Sequence, residues 1–290
     1  MSLVHGPNCI ESQFSYEKVI DIWMKFLPPI RPSLENRQVY EDYIKKIKHK
    51  ENPKVLILGV TPELRRLAIK HCCVVAAADL HTVMIKAMNH LIDKFGVDRH
   101  NEIIVKSNWL AMPFRNGSYD LILGDCSINN LTKKETETLL TESKRLLKKD
   151  GYICMRVMVC SDEDERRSIL NIFTEHRKSL PENRKRAFRD LYLDILCSME
   201  AYDPVSQKSC ITKARKEWRR LYSDNKISRQ EFEAFEDVLA EGEYCPTLLK
   251  RSDLEEILNQ HFKINCISDF GSRFMGCSPI YCLEPRIKSP

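Results

Sequence analysis

The sequence predicts an α/β chain organised around a doubly wound, mostly parallel sheet. Two observations carry this prediction. Five short, almost unbroken apolar runs alternate with amphipathic stretches between Val55 and Val159. Strands buried on both faces read in this way, and right-handed crossovers place their helices on either side. Near the end, Phe262 to Ile267 and Pro279 to Leu283 are two more strand-like runs joined by a short loop containing Gly271 and Gly276. A close antiparallel pair is the natural reading of that spacing.

The elements follow in order. Residues 1–14 read as a loose leader. From Ser15, Val19, Ile20, Ile22, Trp23 and Phe26 recur at helical spacing until Pro28, Pro29 and Pro32 stop the pattern. Ser33 is a suitable N-cap for a second helix with Tyr40, Tyr43, Ile44 and Ile47 on its apolar side. Residues 1–50 are thus an N-terminal helical segment. The core spans 51–160. Val55 to Leu58 ends at Gly59, and a helix follows to about Lys70. Val74 to Ala78 ends at Asp79, before a helix over Val83 to Phe95. Ile103 to Val105 and Tyr119 to Leu123 come next, the latter ending at Gly124-Asp125. A helix over Lys133 to Lys148 and the turn Asp150-Gly151 lead into Tyr152 to Val159. Residues 161–245 lack strand patterning, are rich in mixed charge and are too long for a loop, so they read as a helical insertion. Residues 246–290 supply a helix over Thr247 to Gln260 and the final strand pair.

Composition narrows the function classes. Forty-six basic and 41 acidic residues leave a net charge of +5, a weaker bias than a dedicated nucleic-acid binder carries. The 12 cysteines form no C-x-x-C, so no zinc site is read and no metal is expected. Cys72, Cys73, Cys154 and Cys266 lie in apolar runs, as reduced core thiols of a cytoplasmic protein do. The first residues lack a secretory pattern, and no apolar stretch reaches membrane-spanning length.

Four segments carry the candidate chemistry. In VLILGVTPEL, Gly59 ends a strand, Thr61 can cap a helix and Pro62 suits its first position. A dinucleotide brings a pyrophosphate that must approach bare backbone, which demands several glycines; one glycine does not suit it. A plain strand–turn–helix fits this segment equally. Asp79 stands 20 residues after Gly59, where an acid can accept from ribose hydroxyls or cap the next helix. In SNWLAMPF, the Asn108 amide can pair with adenine, and Trp109, Met112 and Phe114 can wall a base or simply fill the core. In YDLILGDCSINNL, Asp125 ends a strand on the sheet edge where ligands bind, and could offset a positive charge. Ser127, Asn129 and Asn130 there could orient an acceptor or serve turns. Arg156 lies within an apolar strand and calls for a buried partner. His81 is weak as a proton acceptor, and no catalytic base is assigned.

In this order, the segments LILGVTPEL, AAADLHTVMI, SNWLAMPF, YDLILGDCSINNL and LLKKDGYICMRVMV resemble the successive motifs of class I (Rossmann-like) S-adenosylmethionine-dependent methyltransferases. WMKFLPPIRPS and YCPTLL resemble the branch whose first motif reads G-x-T-P-E-L. The resemblance implies a seven-stranded sheet with the last strand antiparallel, and S-adenosylmethionine as cofactor. It implies cofactor contacts at Gly59 and Thr61 for the methionine end and at Asp79 for the ribose, with Val60, Glu63 and Leu80 as further cofactor contacts. Asn108 and Trp109 would take the adenine, and Asp125 and Cys126 the reacting end. Asn108 stands where this branch commonly has Asp. The expected activity is methyl transfer to a small-molecule acceptor, with the insertion capping the acceptor site. A protein or RNA methyltransferase and a non-catalytic cofactor-binding or regulatory module are the alternatives; a nicotinamide dehydrogenase has the wrong glycine pattern.

Overall fold

The computed structural model describes residues 15–71, 73–162, 166–178, 184–236, 245–269 and 275–286. The leader 1–14, Cys72, most of the acidic run 162–165 and Gly271 lie outside the described residues.

Seven strands form one sheet: β1 (Lys54–Leu58), β2 (Val74–Asp79), β3 (Glu102–Lys106), β4 (Tyr119–Asp125), β5 (Leu147–Arg156), β6 (Phe262–Ser268) and β7 (Ile280–Pro285). Their spatial order is β3-β2-β1-β4-β5-β7-β6. β1 to β5 pair in parallel, and β7 runs antiparallel to both of its neighbours. The sheet reverses direction of build at β1 and β4, and ligands bind at such a switch point, outside the carboxyl ends of the strands.

The helices are α1 (Tyr16–Lys25), α2 (Leu34–Ile47), α3 (Pro62–Lys70), α4 (Thr82–Lys94), α5 (Lys133–Leu146), α6 (Ile169–His176), α7 (Arg184–Leu196), α8 (Ile211–Ser223), α9 (Arg229–Glu236) and α10 (Arg251–His261). Ser33 caps α2 as expected, in a reciprocal capping box with Asn36, and Thr132 does the same for α5 with Glu135. α5 ends two residues earlier than its sequence pattern suggests, and β5 begins directly at Leu147.

One core packs α1 to α4 on one face of the sheet, through Trp23, Tyr40, Ile44, Leu64 and Met88. A second packs α5 and α10 on the other, through Leu139, Leu146, Leu254 and Phe262. The insertion has its own apolar centre, where Phe173 and Phe235 meet the fully buried Trp218 ring at 5.0 and 5.3 Å between centroids. Asn129 links the segments that flank the insertion: its Nδ2 donates to the Met158 and Thr247 carbonyls at 2.7 Å, and its Oδ1 accepts from the Met158 amide at 2.9 Å.

Two expectations are corrected here. The insertion is not free of strands, since Tyr202–Asp203 pairs with Lys208–Ser209; two-residue strands are too short to show alternation. Cys160 and Cys197 are joined in a disulfide with 6.0 Å between their Cα atoms, so the cysteines are not all reduced. That bond ties the exit of β5 to the end of α7.

Candidate functional site

A cavity of about 330 Å³, including its open mouth, lies where β1, β2 and β4 end. Gly59 follows β1 and forms its floor. Its φ of +105° is one that side-chain-bearing residues rarely adopt. A Cβ there would sit 3.7 Å from the Trp109 ring and 3.9 Å from Asp79 Oδ2, ordinary contact distances. Backbone conformation rather than crowding therefore requires glycine. Gly59→Ala is expected to cost about 1–2 kcal/mol of stability, read from urea unfolding; an unchanged midpoint would remove the conformational argument.

Thr61 starts α3 with Pro62 at the first helical position, and its hydroxyl makes no cap bond. Asp79 ends β2 and is buried. Its Oδ1 accepts from the His81 amide at 2.9 Å, a local turn, while His81 rather than Asp79 holds the N-cap position of α4. Asp79 thus satisfies one oxygen locally and lines the cavity. Burial raises its carboxyl above the ordinary aspartate range, and the His81 amide partly opposes the shift. Trp109 is buried over the floor, its indole donating to the Ala78 carbonyl at 2.6 Å.

Asp125 ends β4 and lines the cavity from the opposite side. Arg156, fully buried on β5, donates its Nε to Asp125 Oδ1 at 2.5 Å and its Nη1 to the Pro29 carbonyl. This is the buried partner the sequence called for at Arg156, and it balances the Asp125 charge. Ser127 lines the cavity with its hydroxyl donating to the Leu58 carbonyl at 2.9 Å, and Asn130 donates to the Cys126 carbonyl at the same distance.

Of the residues singled out from sequence, Gly59, Val60, Thr61, Asp79, Trp109 and Asp125 converge on this cavity. Glu63, Leu80, Asn108 and Cys126 are not among its lining residues. Glu63 accepts from Arg31 Nε at 2.8 Å and tethers the α1–α2 connection to α3. Asn108 is exposed, and its Oδ1 accepts from the Leu110 amide at 3.0 Å. Four lining residues were not read as site residues: Trp23, Leu58, Met84 and Met88. Trp23 is brought by α1; its buried Nε1 has no hydrogen-bond partner, and Arg31 lies 5.8 Å from the ring. Helical spacing marked Trp23 as apolar, which does not reveal what its face covers.

Among the described residues, the lining contains two carboxylates and no lysine or arginine. With one glycine at the floor, that donor set disfavours a pyrophosphate and fits a ligand bearing hydroxyls and a positive charge. Among the described residues, no group of three or more His, Cys, Asp or Glu side chains could hold a metal ion.

Residues 58–155 match the family described as "Methyltransferase domain". No curated protein matches the chain. Among solved structures, the fold is similar to a protein of Pyrococcus horikoshii OT3, with a TM-score of 0.53, 15% identity, and coverage of 92% of this chain and 99% of that one. A Rhodobacter sphaeroides protein proposed to be a Zn-dependent alcohol dehydrogenase gives 0.56, 14%, 94% and 100%. The Burkholderia thailandensis 1,6-didemethyltoxoflavin-N1-methyltransferase, solved with 1,6-didemethyltoxoflavin and S-adenosylhomocysteine, gives 0.52, 11%, 94% and 84%.

Proposed function

We propose that the chain is a class I S-adenosylmethionine-dependent methyltransferase that methylates a small-molecule acceptor in the cavity at the tips of β1, β2 and β4; the match of residues 58–155 to a methyltransferase domain supports this reading. The observation that carries the site assignment is the lining itself: among the described residues, two carboxylates around a single glycine floor with no basic side chain. When bound, S-adenosylmethionine supplies an electrophilic methyl group on a sulfonium.

In this proposal Asp79 accepts from the ribose hydroxyls, and Trp109 packs against the adenosyl group. Gly59, Val60 and Thr61 line the methionine end, with Glu63 behind them. Leu80 and Asn108, both exposed, border the ligand from the rim. Asp125, with Cys126 next to it, stands at the reacting end, and its pairing with Arg156 makes it part of a near-neutral wall. The chain's contribution to an in-line displacement is to position the two reactants and exclude water. A base is required only for an acceptor whose proton has a high pKa, and no catalytic residue is assigned.

The insertion, 161–245, caps the acceptor side in this reading. Three of its basic residues are offset locally: Arg219 by Glu236, Arg220 by Glu217 and Asp224, and Arg177 by Glu231. That pairing favours a small molecule over RNA. No helix among the described residues is long and apolar enough to cross a membrane. One observation favours a non-catalytic cofactor-binding or regulatory module as the second reading: Arg156 already engages the acid at the reacting end.

The test is a thermal-shift series followed by transfer of labelled methyl groups to a cell extract. S-adenosylmethionine and S-adenosylhomocysteine are expected to raise the melting temperature, and NAD is not. Label is expected in the low-molecular-weight fraction. Label confined to protein or RNA would overturn the acceptor class, and binding without any transfer would leave the non-catalytic reading.

A further inference from the structure

Away from the cavity, three cysteines lie in a row across neighbouring strands. Cys154 on β5 is the register partner of Cys282 on β7, and Cys282 is in turn the partner of Cys266 on β6. Directly opposed residues place their side chains on one face of a sheet, with Cβ atoms about 4.5–5.5 Å apart. Cys154 and Cys282 are fully buried, whereas Cys266, on the edge strand, is exposed. All three are free thiols.

The Cys154–Cys282 contact is close for a reason visible in the ladder. The Val157 amide donates to the Pro279 carbonyl at 3.0 Å, making those two a hydrogen-bonded pair. Pair types alternate along an antiparallel ladder, so three steps away Cys154 and Cys282 form a non-hydrogen-bonded pair, the type with closer side chains. Cys154, Cys282 and Tyr43 of α2 belong to one buried cluster on that face of the sheet. The Lys46 ammonium sits over the Tyr43 ring at 3.8 Å. Cys282 therefore sits among a thiol, a phenol and the Lys46 cation over that phenol, while its other strand neighbour, Cys266, opens to solvent.

We propose that this row is a thiol–disulfide exchange site for low-molecular-weight disulfides, in which Cys266 takes up the incoming sulfur and Cys282 resolves it into a Cys266–Cys282 cross-strand disulfide. The electrostatics agree with this division of roles. The hydrogen bond from Cys154 holds the Cys282 thiol below the ordinary cysteine range; burial opposes that shift, while Tyr43 and Lys46 reinforce it. Burial pushes the Cys154 thiol up, so Cys154 stays protonated and continues to donate. The thiolate is the nucleophile in exchange. The chemistry balances with oxidised glutathione as oxidant. The Cys266 thiolate attacks one glutathione sulfur, and the other glutathione leaves and takes up the proton. The Cys282 thiolate then attacks Cys266 Sγ and expels the second glutathione. Two protein thiols are oxidised, and one disulfide is reduced to two thiols. The Cys160–Cys197 bond, in the core of the insertion, takes no part.

The experiment incubates the full chain with oxidised glutathione, quenches with acid, alkylates the remaining thiols and maps peptides by mass. Wild type is expected to yield the Cys266–Cys282 linked peptide. Cys282→Ser is expected to retain glutathione on Cys266, and Cys266→Ser to lose both the adduct and the link. Glutathione persisting on Cys266 in wild type, an unmodified Cys266, or formation of a Cys154–Cys282 link in Cys266→Ser would each overturn the proposal. Cys266 is exposed, so its serine variant decides the matter even if Cys282→Ser fails to fold.

Discussion

Arg156→Met is expected to destabilise the chain by about 3–5 kcal/mol, because removing one partner of a buried ion pair leaves the other charge uncompensated. The guanidinium is fully buried, and the Asp125 side chain it meets is 2% exposed. Methionine keeps most of the volume, so the loss comes from stranding the Asp125 carboxylate and releasing the Pro29 carbonyl. Asp125→Leu should cost a similar amount, this time by stranding the guanidinium. The double variant Arg156→Met with Asp125→Leu is expected to recover much of the loss, since an apolar pair of similar volume often replaces a buried salt bridge at little cost. Urea unfolding of the four proteins closes the cycle. If the two single effects simply add, the charges are not coupled and the loss is one of packing. The effect reaches the site because Asp125 lines the cavity and Arg156, its partner, anchors the α1–α2 connection through Pro29. The single variants should therefore bind S-adenosylhomocysteine more weakly even where they remain folded.

The parts of this arrangement legible in the sequence are those fixed by local pattern. The five apolar runs became β1 to β5 because a strand covered on both faces has no polar side to show. Gly59, Asp79 and Asp125 were visible because each ends such a run, and strand ends are where an open α/β sheet exposes functional groups. Arg156 announced a partner by its cost in an apolar strand, although the partner's identity needed the β4–β5 register. What stayed hidden depends on long-range contact. The apolar face of α1 was readable, yet its seat over the β1 tip was not, so Trp23 was missed. Asn108 was assigned to adenine on residue type, but its amide oxygen closes its own turn at Leu110. Asn129 offered the same polar atoms to sequence reasoning as an acceptor-orienting residue would; the structure spends them on main-chain groups of Met158 and Thr247. The pairing of Cys160 with Cys197, 37 residues apart, is a choice among many that spacing does not make.

Asp79→Ala is expected to weaken S-adenosylhomocysteine binding by about 1–3 kcal/mol, the cost of leaving ribose hydroxyls without their acceptor, and this loss should depend on pH. Burial is the largest influence on the Asp79 carboxyl and raises its pKa; the His81 amide, which donates to Oδ1, only partly offsets it. In the unfolded chain an aspartate titrates near 3.9 or so. Between that value and the raised one, the folded protein binds more protons than the unfolded chain. The favourable contribution of Asp79 is therefore present at low pH and is lost as pH rises through the folded pKa. Ribose hydroxyls donate to the carboxylate and favour its charged form, so binding releases a proton. Affinity should then rise with pH across the same window and level off above it. Asp79→Asn keeps an acceptor but cannot ionise. Its affinity should lack this rise, and its ligand-free stability should no longer fall across that window. Calorimetry at stepped pH, in buffers of different ionisation enthalpy, measures affinity and proton release together. A wild-type affinity that does not change with pH, or an Asp79→Asn protein that keeps the full pH dependence, would move the ribose contact away from this carboxylate.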